Sequence, residues 1–384
     1  MTGGNRSGRS TDEQRAADRE YLRQCLRVAS RARGVTSPNP MVGALVVKDD
    51  QIIAQAYHHK AGTAHAERLA LAAAQNAARG ATLYTNMEPC CHHGRTPPCA
   101  EGILAAGIRR VVASMADPDP RVNGQGFAAL RAGGVEVNVG ELADEAARLN
   151  DAYVTLKLEG RPFVLAKAAL SLDGRLATRR RQSQWITGEA ARQRAHRLRG
   201  VSDAVIVGVG TVLSDDPRLT ARHGRLRGPR FRVVLDSHLR TPAGCRMLAT
   251  AGGQVLIFTT VAGPPMRRKQ LESAGAEVLV VDADARGRVA WEPVLADLAG
   301  RGVMSALLEG GSDMLTSAFE AGIIDKVFLI YAPLLIGGSA ALPLWGGDGI
   351  DSLDAAPRLQ HVRRSRLGED WAVEGYIHPP RLAV

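Results

Sequence analysis

Between residues 42 and 332 the chain alternates short β-type runs with helical segments, twice over, and that alternation confines it to α/β architectures. VGALVVK and QIIAQAY form a hairpin over Asp49-Asp50. AERLALAAAQNAA then reads as a helix ending at Gly80, TLYTN as a strand, PPCAEGILAA as a helix and RRVVAS as a strand. GFAALRAGG and VEVNVG add a helix and a strand, and ELADEAARLNDAYVTLKL closes the set as one helix. Upstream, Thr11-x-x-Gln14 reads as a capping box that opens a helix with Leu22, Leu26 and Ala29 on one face, stopping near Gly34. The second series follows Leu158-Glu159-Gly160-Arg161-Pro162: FVLAKAALS, the helix GEAARQRAHRLR, then DAVIVGVG, FRVVLD, QVLIF, EVLVV, MSALLEG, a helix from Ser312, and KVFLIYA. The expected organisation is a disordered tail over 1–15, a first domain over 16–158 and a second over 163–384. No repeat relates the two series, so they are expected to do different things.

The 384 residues suffice for two cores, and 45% hydrophobic with 23% charged content excludes wholesale disorder. No apolar run approaches the ~18 residues of a membrane span, and MTGGNRSGRSTDEQR lacks the hydrophobic centre of a signal peptide. A cytoplasmic, membrane-free protein is expected. The net charge of +10, from 49 basic and 39 acidic residues, invites a nucleic-acid reading. Only six of the basic residues are lysine, no basic block is interleaved with aromatics, and Arg179-Arg180-Arg181 stands alone. Small phosphorylated ligands or an arginine-biased composition account for the charge equally well.

Cys25, Cys90, Cys91, Cys99 and Cys245 are an odd set, which argues against a disulfide framework. Three of them fall in Pro89-Cys90-Cys91-His92-His93-Gly94-Arg95-Thr96-Pro97-Pro98-Cys99, downstream of His65-Ala66-Glu67. One imidazole and two thiolates suit zinc, and three protein ligands leave a fourth position for water. Two thiolates cancel the ion's charge, so that water loses its proton near neutral pH, and Glu67 is placed to carry the proton to a leaving nitrogen. Positions i and i+2 diverge by about 200° on a regular helix, so His65 and Glu67 must sit at a helix's first turn. Cys99 follows two prolines and opens a helix, where the N-terminal partial charge favours thiolate. Spacing leaves Cys90 and Cys91 in competition as ligands. H-x-E followed by P-C and a later Cys is the pattern of zinc deaminases, although nucleobase deaminases use C-x-x-C and here eight residues separate Cys90 from Cys99.

HAE with PCxHHGRTPPC, together with Asn39-Pro40-x-Val42-Gly43, resembles the deaminase half of the bifunctional riboflavin-biosynthesis deaminase/reductases. The resemblance implies zinc on His65, Cys90 and Cys99, a proton shuttle at Glu67, and pyrimidine or ribose contacts at Asn39, His58 and His92. Ala56 and Cys91 depart from the family, which often has Gly and Ser or Asn there.

In the second half, Gly208-Val209-Gly210 follows a strand, but Leu213 breaks the G-x-G-x-x-G pattern. Glu309-Gly310-Gly311-Ser312 takes a buried-type strand through two glycines into a helix, a turn suited to a phosphate. Ser171-Leu172-Asp173-Gly174-Arg175, Ser183-Gln184-Trp185-Ile186-Thr187-Gly188 and the run from Gly210 to Arg222 are polar clusters at strand ends. In that order they resemble the same family's reductase half, which has a dihydrofolate-reductase-like fold and uses NADPH. The resemblance covers roughly residues 19–380 and implies a cytidine-deaminase-like α/β/α domain followed by the reductase. It implies NADPH contacts at Ala169, Trp185, Thr211, Asp215, Ser237 and Gly311, Ser312, Asp313, Met314, Leu315, Thr316 and Ser317. Substrate contacts would be Ser183, Arg199, Leu219, Arg222 and Glu309, the two arginines matching a phosphate monoester with their guanidinium forks. Lys167, on the first strand of this half, either points into the site or is structural.

The implied chemistry is removal of the 2-amino group of 2,5-diamino-6-(5-phosphoribosylamino)pyrimidin-4(3H)-one, then NADPH reduction of the ribosyl to a ribityl side chain. The expected partner is this small phosphorylated pyrimidine, not nucleic acid, in a homo-oligomer. Competing readings are a zinc deaminase of tRNA with a C-terminal binding domain, and a nucleotide-binding regulatory module with a structural zinc.

Overall fold

A computed structural model describes residues 10–93, 97–222 and 228–380. The chain forms two compact units, the first running to Leu158 and the second covering Glu159–Pro379.

The first unit opens with α1 (Thr11–Ala29), followed by the hairpin β1 (Gly43–Lys48) and β2 (Gln51–Tyr57). Asp49 and Asp50 both take left-handed backbone, φ 48° and 63°, as a two-residue turn of matching twist requires. Then come α2 (Ala66–Ala74), β3 (Thr82–Thr85), α3 (Cys99–Ala105), β4 (Arg110–Ala113), α4 (Gln125–Ala132), β5 (Glu136–Val139), α5 (Ala143–Leu149) and α6 (Asp151–Glu159). The sheet order is β2-β1-β3-β4-β5, with β1 antiparallel to both neighbours and β3, β4 and β5 parallel. Alternation along β1 feeds two cores. Ala44 and Val46 meet Ala70, Ile103 and Leu130 from α2, α3 and α4, whereas Leu45 and Val47 meet Leu22 and Cys25 of α1.

Three expectations shift here. The capping box is Ser10 with Glu13: Ser10 Oγ accepts from Glu13 N, and Glu13 accepts from Ser10 N at 2.8 Å. Order therefore begins before the tail expected to run to residue 15, and residues 1–9 lie outside the described residues. The closing helix is two helices broken at Asn150, whose side chain bonds the backbone of Met41 instead.

The second unit contains β6 (Phe163–Ser171), β7 (Arg175–Ala177), α7 (Glu189–Val201), β8 (Ala204–Gly208), α8 (Val209–Asp215), β9 (Phe231–Leu235), α9 (Arg246–Ala249), β10 (Gln254–Thr259), α10 (Pro265–Ser273) and β11 (Glu277–Val280). It continues with α11 (Trp291–Gly300), β12 (Ser305–Glu309), α12 (Ser312–Glu320), β13 (Lys326–Ala332), β14 (Leu342–Pro343), β15 (Gln360–Leu367) and β16 (Asp370–Tyr376). Nine strands order as β11-β10-β9-β8-β12-β6-β13-β16-β15, parallel from β11 to β13 and antiparallel beyond, while β7 pairs with β14. Central strands such as AVIVG are near-continuous apolar runs because helices cover both faces. Val294, Leu298 and Leu315 of α11 and α12 pack one face; Ala191, Leu198, Val212 and Leu271 of α7, α8 and α10 pack the other.

β8 and β12 are neighbours, yet the chain leaves β8 toward β9 on one side and β12 toward β13 on the other. In open α/β sheets such a divergence is where ligands bind, in the crevice beyond the strands' carboxyl ends.

Candidate functional site

His65 caps α2 in extended backbone, φ −72° and ψ 161°, and Glu67 is the helix's second residue. The irregular step before the first turn lets side chains two residues apart face the same point, as their spacing demanded. Cys99 is the first residue of α3, preceded by Pro98 as cap. His65 Nδ1 lies 3.5 Å from Cys90 Sγ and 3.3 Å from Cys99 Sγ, and the three ligand atoms fall within 4.8 Å of one another. Cys91, next in sequence, stands outside this cluster and is partly exposed. The loop is folded by Cys99 N donating to Cys90 Sγ at 3.4 Å and Ala100 N to Cys90 O at 3.1 Å, which turns Cys90 inward. Gly94, Arg95 and Thr96 of the same motif lie outside the described residues.

The electrostatics fit a cation. Hydrogen bonds from Cys99 and His65 hold the Cys90 thiol below its usual range, while the bond to Cys90 and burial push Cys99 up. Glu67 is 3% exposed, and burial raises its pKa to about 7 against the pull of His65. Its Oε2 is buried without a hydrogen-bond partner among the described residues. A buried carboxylate oxygen left open beside two thiols and an imidazole is what a metal-activated proton transfer needs.

Of the other residues implicated by resemblance, Asn39 and His58 sit together. His58 Nδ1 must donate to Ala64 O (3.2 Å), so Nε2 is the acceptor for Asn39 Nδ2 at 3.1 Å. Both ring nitrogens are thereby engaged within the protein, and the ring stands edge-on to His65 with centroids 5.3 Å apart. His58 thus braces the metal ligand. His92 is exposed.

Sequence reasoning missed the supports. Asn86 accepts from Gly43 N and donates to Met41 O, and Asn150 bonds both backbone groups of Met41, so two amides fix the 39–43 loop. Glu88 accepts from the backbone N–H of Asp117, Gly124 and Phe127. It draws the start of α4 so close that a Cβ on Gly126 would fall 2.0 Å from Pro89 O. The signal was Asn86 and Glu88 following the buried strand TLYT, where polar side chains must find backbone partners.

In the second unit, Gly208 and Gly311 cap α8 and α12 in extended backbone without side-chain caps, leaving first-turn N–H groups at the crevice. A Cβ on Gly310 would lie 3.2 Å from Thr211 Oγ1, whereas Gly311 faces open space. Met314 and Leu315 are core side chains, Thr316 Oγ1 accepts from Gly346 N at 2.7 Å, and Ser317 Oγ accepts from Trp291 Nε1 at 2.9 Å. What the 311–317 turn offers a ligand is therefore its backbone at Gly311, Ser312 and Asp313. Ser237 Oγ accepts from Val289 N at 3.1 Å. Trp185 is 70% exposed under the Arg192 guanidinium, 4.8 Å from the ring centre. Ala169, Ser183, Thr211 and Asp215 are half-buried at this end of the sheet.

Lys167 and Glu309 face each other on the paired strands β6 and β12, and Arg199 grips Glu309 with two bonds of 2.9 and 2.6 Å. Burial lowers Lys167; it also opposes ionisation of Glu309, but Arg199 and Lys167 outweigh it and hold that carboxyl down at about 2. Arg199 thus engages Glu309 with one side of its fork. Arg222 is exposed, and desolvation together with Arg199, Arg218 and Arg246 lowers its pKa. Positive charge gathered around an exposed arginine in this way favours an anion. Leu219, beside it, is 1% exposed. Among the described residues no helix is long and apolar enough to cross a membrane.

Known proteins agree with this division. The cytidine and deoxycytidylate deaminase zinc-binding region matches residues 15–115, and the RibD C-terminal domain matches residues 162–373. The riboflavin biosynthesis protein RibD of Actinobacillus pleuropneumoniae is 40% identical over 363 residues, 94% of this chain and 96% of its own length. A structure of Acinetobacter baumannii RibD superposes with a TM-score of 0.85 at 34% identity, covering 94% of this chain and 99% of that one. The diaminohydroxyphosphoribosylaminopyrimidine deaminase/5-amino-6-(5-phosphoribosylamino)uracil reductase of Thermotoga maritima gives 0.82 at 33% identity, with 94% and 99% covered.

A zinc-deaminase domain followed by a dihydrofolate-reductase-like domain defines a two-domain deaminase/reductase. The chain belongs to the RibD family, and it is a bifunctional enzyme of riboflavin biosynthesis. The nucleic-acid deaminase and regulatory-module readings fall away on this full-length match.

Proposed function

We propose that the first unit removes the 2-amino group of 2,5-diamino-6-(5-phosphoribosylamino)pyrimidin-4(3H)-one as ammonia. The second then uses NADPH to reduce the ribosyl side chain, giving 5-amino-6-(5-phosphoribitylamino)uracil. The carrying observation is the convergence of His65, Cys90 and Cys99 beside the unpartnered Oε2 of buried Glu67. The donor set and its size suit zinc, which when bound supplies the Lewis acidity that makes water reactive near neutral pH. Glu67, poised at about 7, accepts the water's proton and returns it to the departing nitrogen. Asn39 and His58 hold the wall around that reaction through the contacts described.

In the second unit the α12 N-terminus and the open Gly311 suit a dinucleotide phosphate, and we assign Thr211, Asp215, Ser237, Trp185 and Ala169 to the same cofactor. NADPH supplies the hydride; the protein supplies orientation and charge. Arg222, with Ser183, Arg199, Leu219 and Glu309, is assigned to the sugar phosphate.

The test is the purified chain with the diamino phosphoribosyl substrate, following ammonia and NADPH absorbance together. Ammonia release must precede NADPH oxidation and match it mole for mole. Oxidation without ammonia release would overturn the order of the steps, and metal analysis finding nothing near the about one zinc per chain of such a site would overturn the metal assignment.

A further inference from the structure

Arg232, the second residue of β9, is 3% exposed and among the described residues forms no ion pair with a carboxylate. Burial lowers its pKa, and no carboxylate charge opposes that shift. A buried cation in this situation is costly, and a fold retains one where its five fixed donors do what an apolar side chain would not. Here they serve four backbone carbonyls. Nε donates to Gly253 O at 2.9 Å, Nη1 to Met247 O at 2.7 Å and Arg218 O at 3.4 Å, and Nη2 to Thr250 O at 3.1 Å.

Those carbonyls belong to two separate stretches: Arg218 O to the 216–222 loop, and Met247, Thr250 and Gly253 O to α9 and its connection to β10. Gly252 closes the second segment over the first: a Cβ there would sit 3.6 Å from both Arg232 Cζ and Thr220 Cγ2, at φ +155°. The 216–222 loop needs such restraint, because Asp216 (φ 41°) and Leu219 (φ 53°) are non-glycine residues in left-handed backbone. Two further ties act with the clasp: Arg246 N donates to Asp216 Oδ1 at 2.8 Å, and His196 Nδ1 to Thr220 O at 3.2 Å.

We propose that Arg232 is a positioning residue for the reductase substrate: its guanidinium clasps the 216–222 loop to the α9–β10 connection and so fixes Leu219 and Arg222 where the phosphorylated sugar is held. This rests on the assignment of Leu219 and Arg222 to that substrate. Arg232 itself touches neither substrate nor cofactor.

The experiment compares Arg232→Met, Arg232→Lys and Arg222→Ala with the unmodified full chain, measuring reductase kcat, KM for the deaminated phosphoribosyl pyrimidine and KM for NADPH. Loss of the clasp raises the substrate KM about tenfold in Arg232→Met, because misplacing a binding group by a fraction of an ångström is expensive. The KM for NADPH and kcat stay within about twofold, as removal of a uniform binding contribution requires. Arg232→Lys, which keeps a donor, falls between. A general loss of structure would move all three parameters together and overturn the proposal. So would a substrate KM unchanged in both Arg232 variants while Arg222→Ala raises it. An unchanged KM in Arg222→Ala overturns the underlying substrate assignment instead, and the two failures are thereby separated. Should Arg232→Met fail to accumulate as folded protein, Arg232→Lys decides by the same split.

Discussion

The two sites solve opposite electrostatic problems. The metal centre gathers groups that ionise to negative charge, two thiols and a carboxyl, beside one imidazole at the starts of two helices. The second unit sets Arg222 among Arg199, Arg218 and Arg246, with one buried carboxylate, Glu309, held ionised by Arg199 and Lys167. On the proposed function, the first attracts a cation and moves a proton, whereas the second holds anions in place while a cofactor carries the chemistry. One side chain should therefore be decisive in the first site, and the burden shared in the second.

Glu67→Gln is the sharpest way to break that contrast. It keeps the shape and the three ligands but loses the proton carrier, so deamination should fall by about 10²–10⁴. Zinc content and reduction of pre-deaminated substrate should persist; ammonia release at an undiminished rate would remove Glu67 from the chemistry. Glu309→Ala tests the other side, leaving Arg199 and Lys167 buried without their shared anion. The expected loss of stability is about 3–5 kcal/mol, seen as a lower Tm, and an unchanged Tm would show that the trio is not a mutually dependent unit.

A smaller effect concerns Asp117 in the first unit, which accepts from Tyr153 Oη at 3.0 Å and from Asp119 N at 2.8 Å. Burial raises its pKa to about 6 from 3.8. A carboxyl raised on folding binds its proton more tightly in the native state, so its charge costs stability as pH climbs from about 4 to 6. Asp117→Asn keeps both acceptor bonds and should be more stable than the unmodified chain at pH 7, by at most on the order of 3 kcal/mol. That advantage should vanish below pH 4 in thermal melts, and a pH-independent difference would assign the effect to packing. The smallest effect belongs to Cys91→Ser, which should leave zinc content and both activities within about twofold, as surface changes normally do. Metal loss there would put the wrong cysteine in the cluster.

How much of this was legible follows from the same contrast. His65, Glu67 and Cys99 announced themselves because their chemistry is local: a helix start fixes a two-residue spacing, and Pro97-Pro98 marks another. Cys90 and Cys91 were inseparable by spacing, and only the turn that aims Cys90 Sγ at Cys99 N distinguishes them. The break at Asn150 was hidden because ELADEAARLNDAYVTLKL has helical periodicity throughout, and a single tertiary hydrogen-bond pair overrode it. α10 went unseen because PMRRKQLES buries only Leu271, and β15 because QHVRRSRL shows no alternation on an exposed edge. In the second unit, Arg232 looked like an ordinary residue near a strand's start, since nothing in FRVVLD marks a guanidinium whose partners are all backbone carbonyls.

The interrupted helix at Asn150 also bears on dissecting this enzyme into its halves. The sheet of the first unit is complete at Val139, and a fragment cut there would contain every metal ligand and Glu67. It would nonetheless lack Asn150, which latches Met41, and Tyr153, which seals Asp117. A free-standing deaminase must therefore carry α5 and α6 as its own closing clasp, so the stretch that leads toward the next enzyme is also the keystone of the one before it.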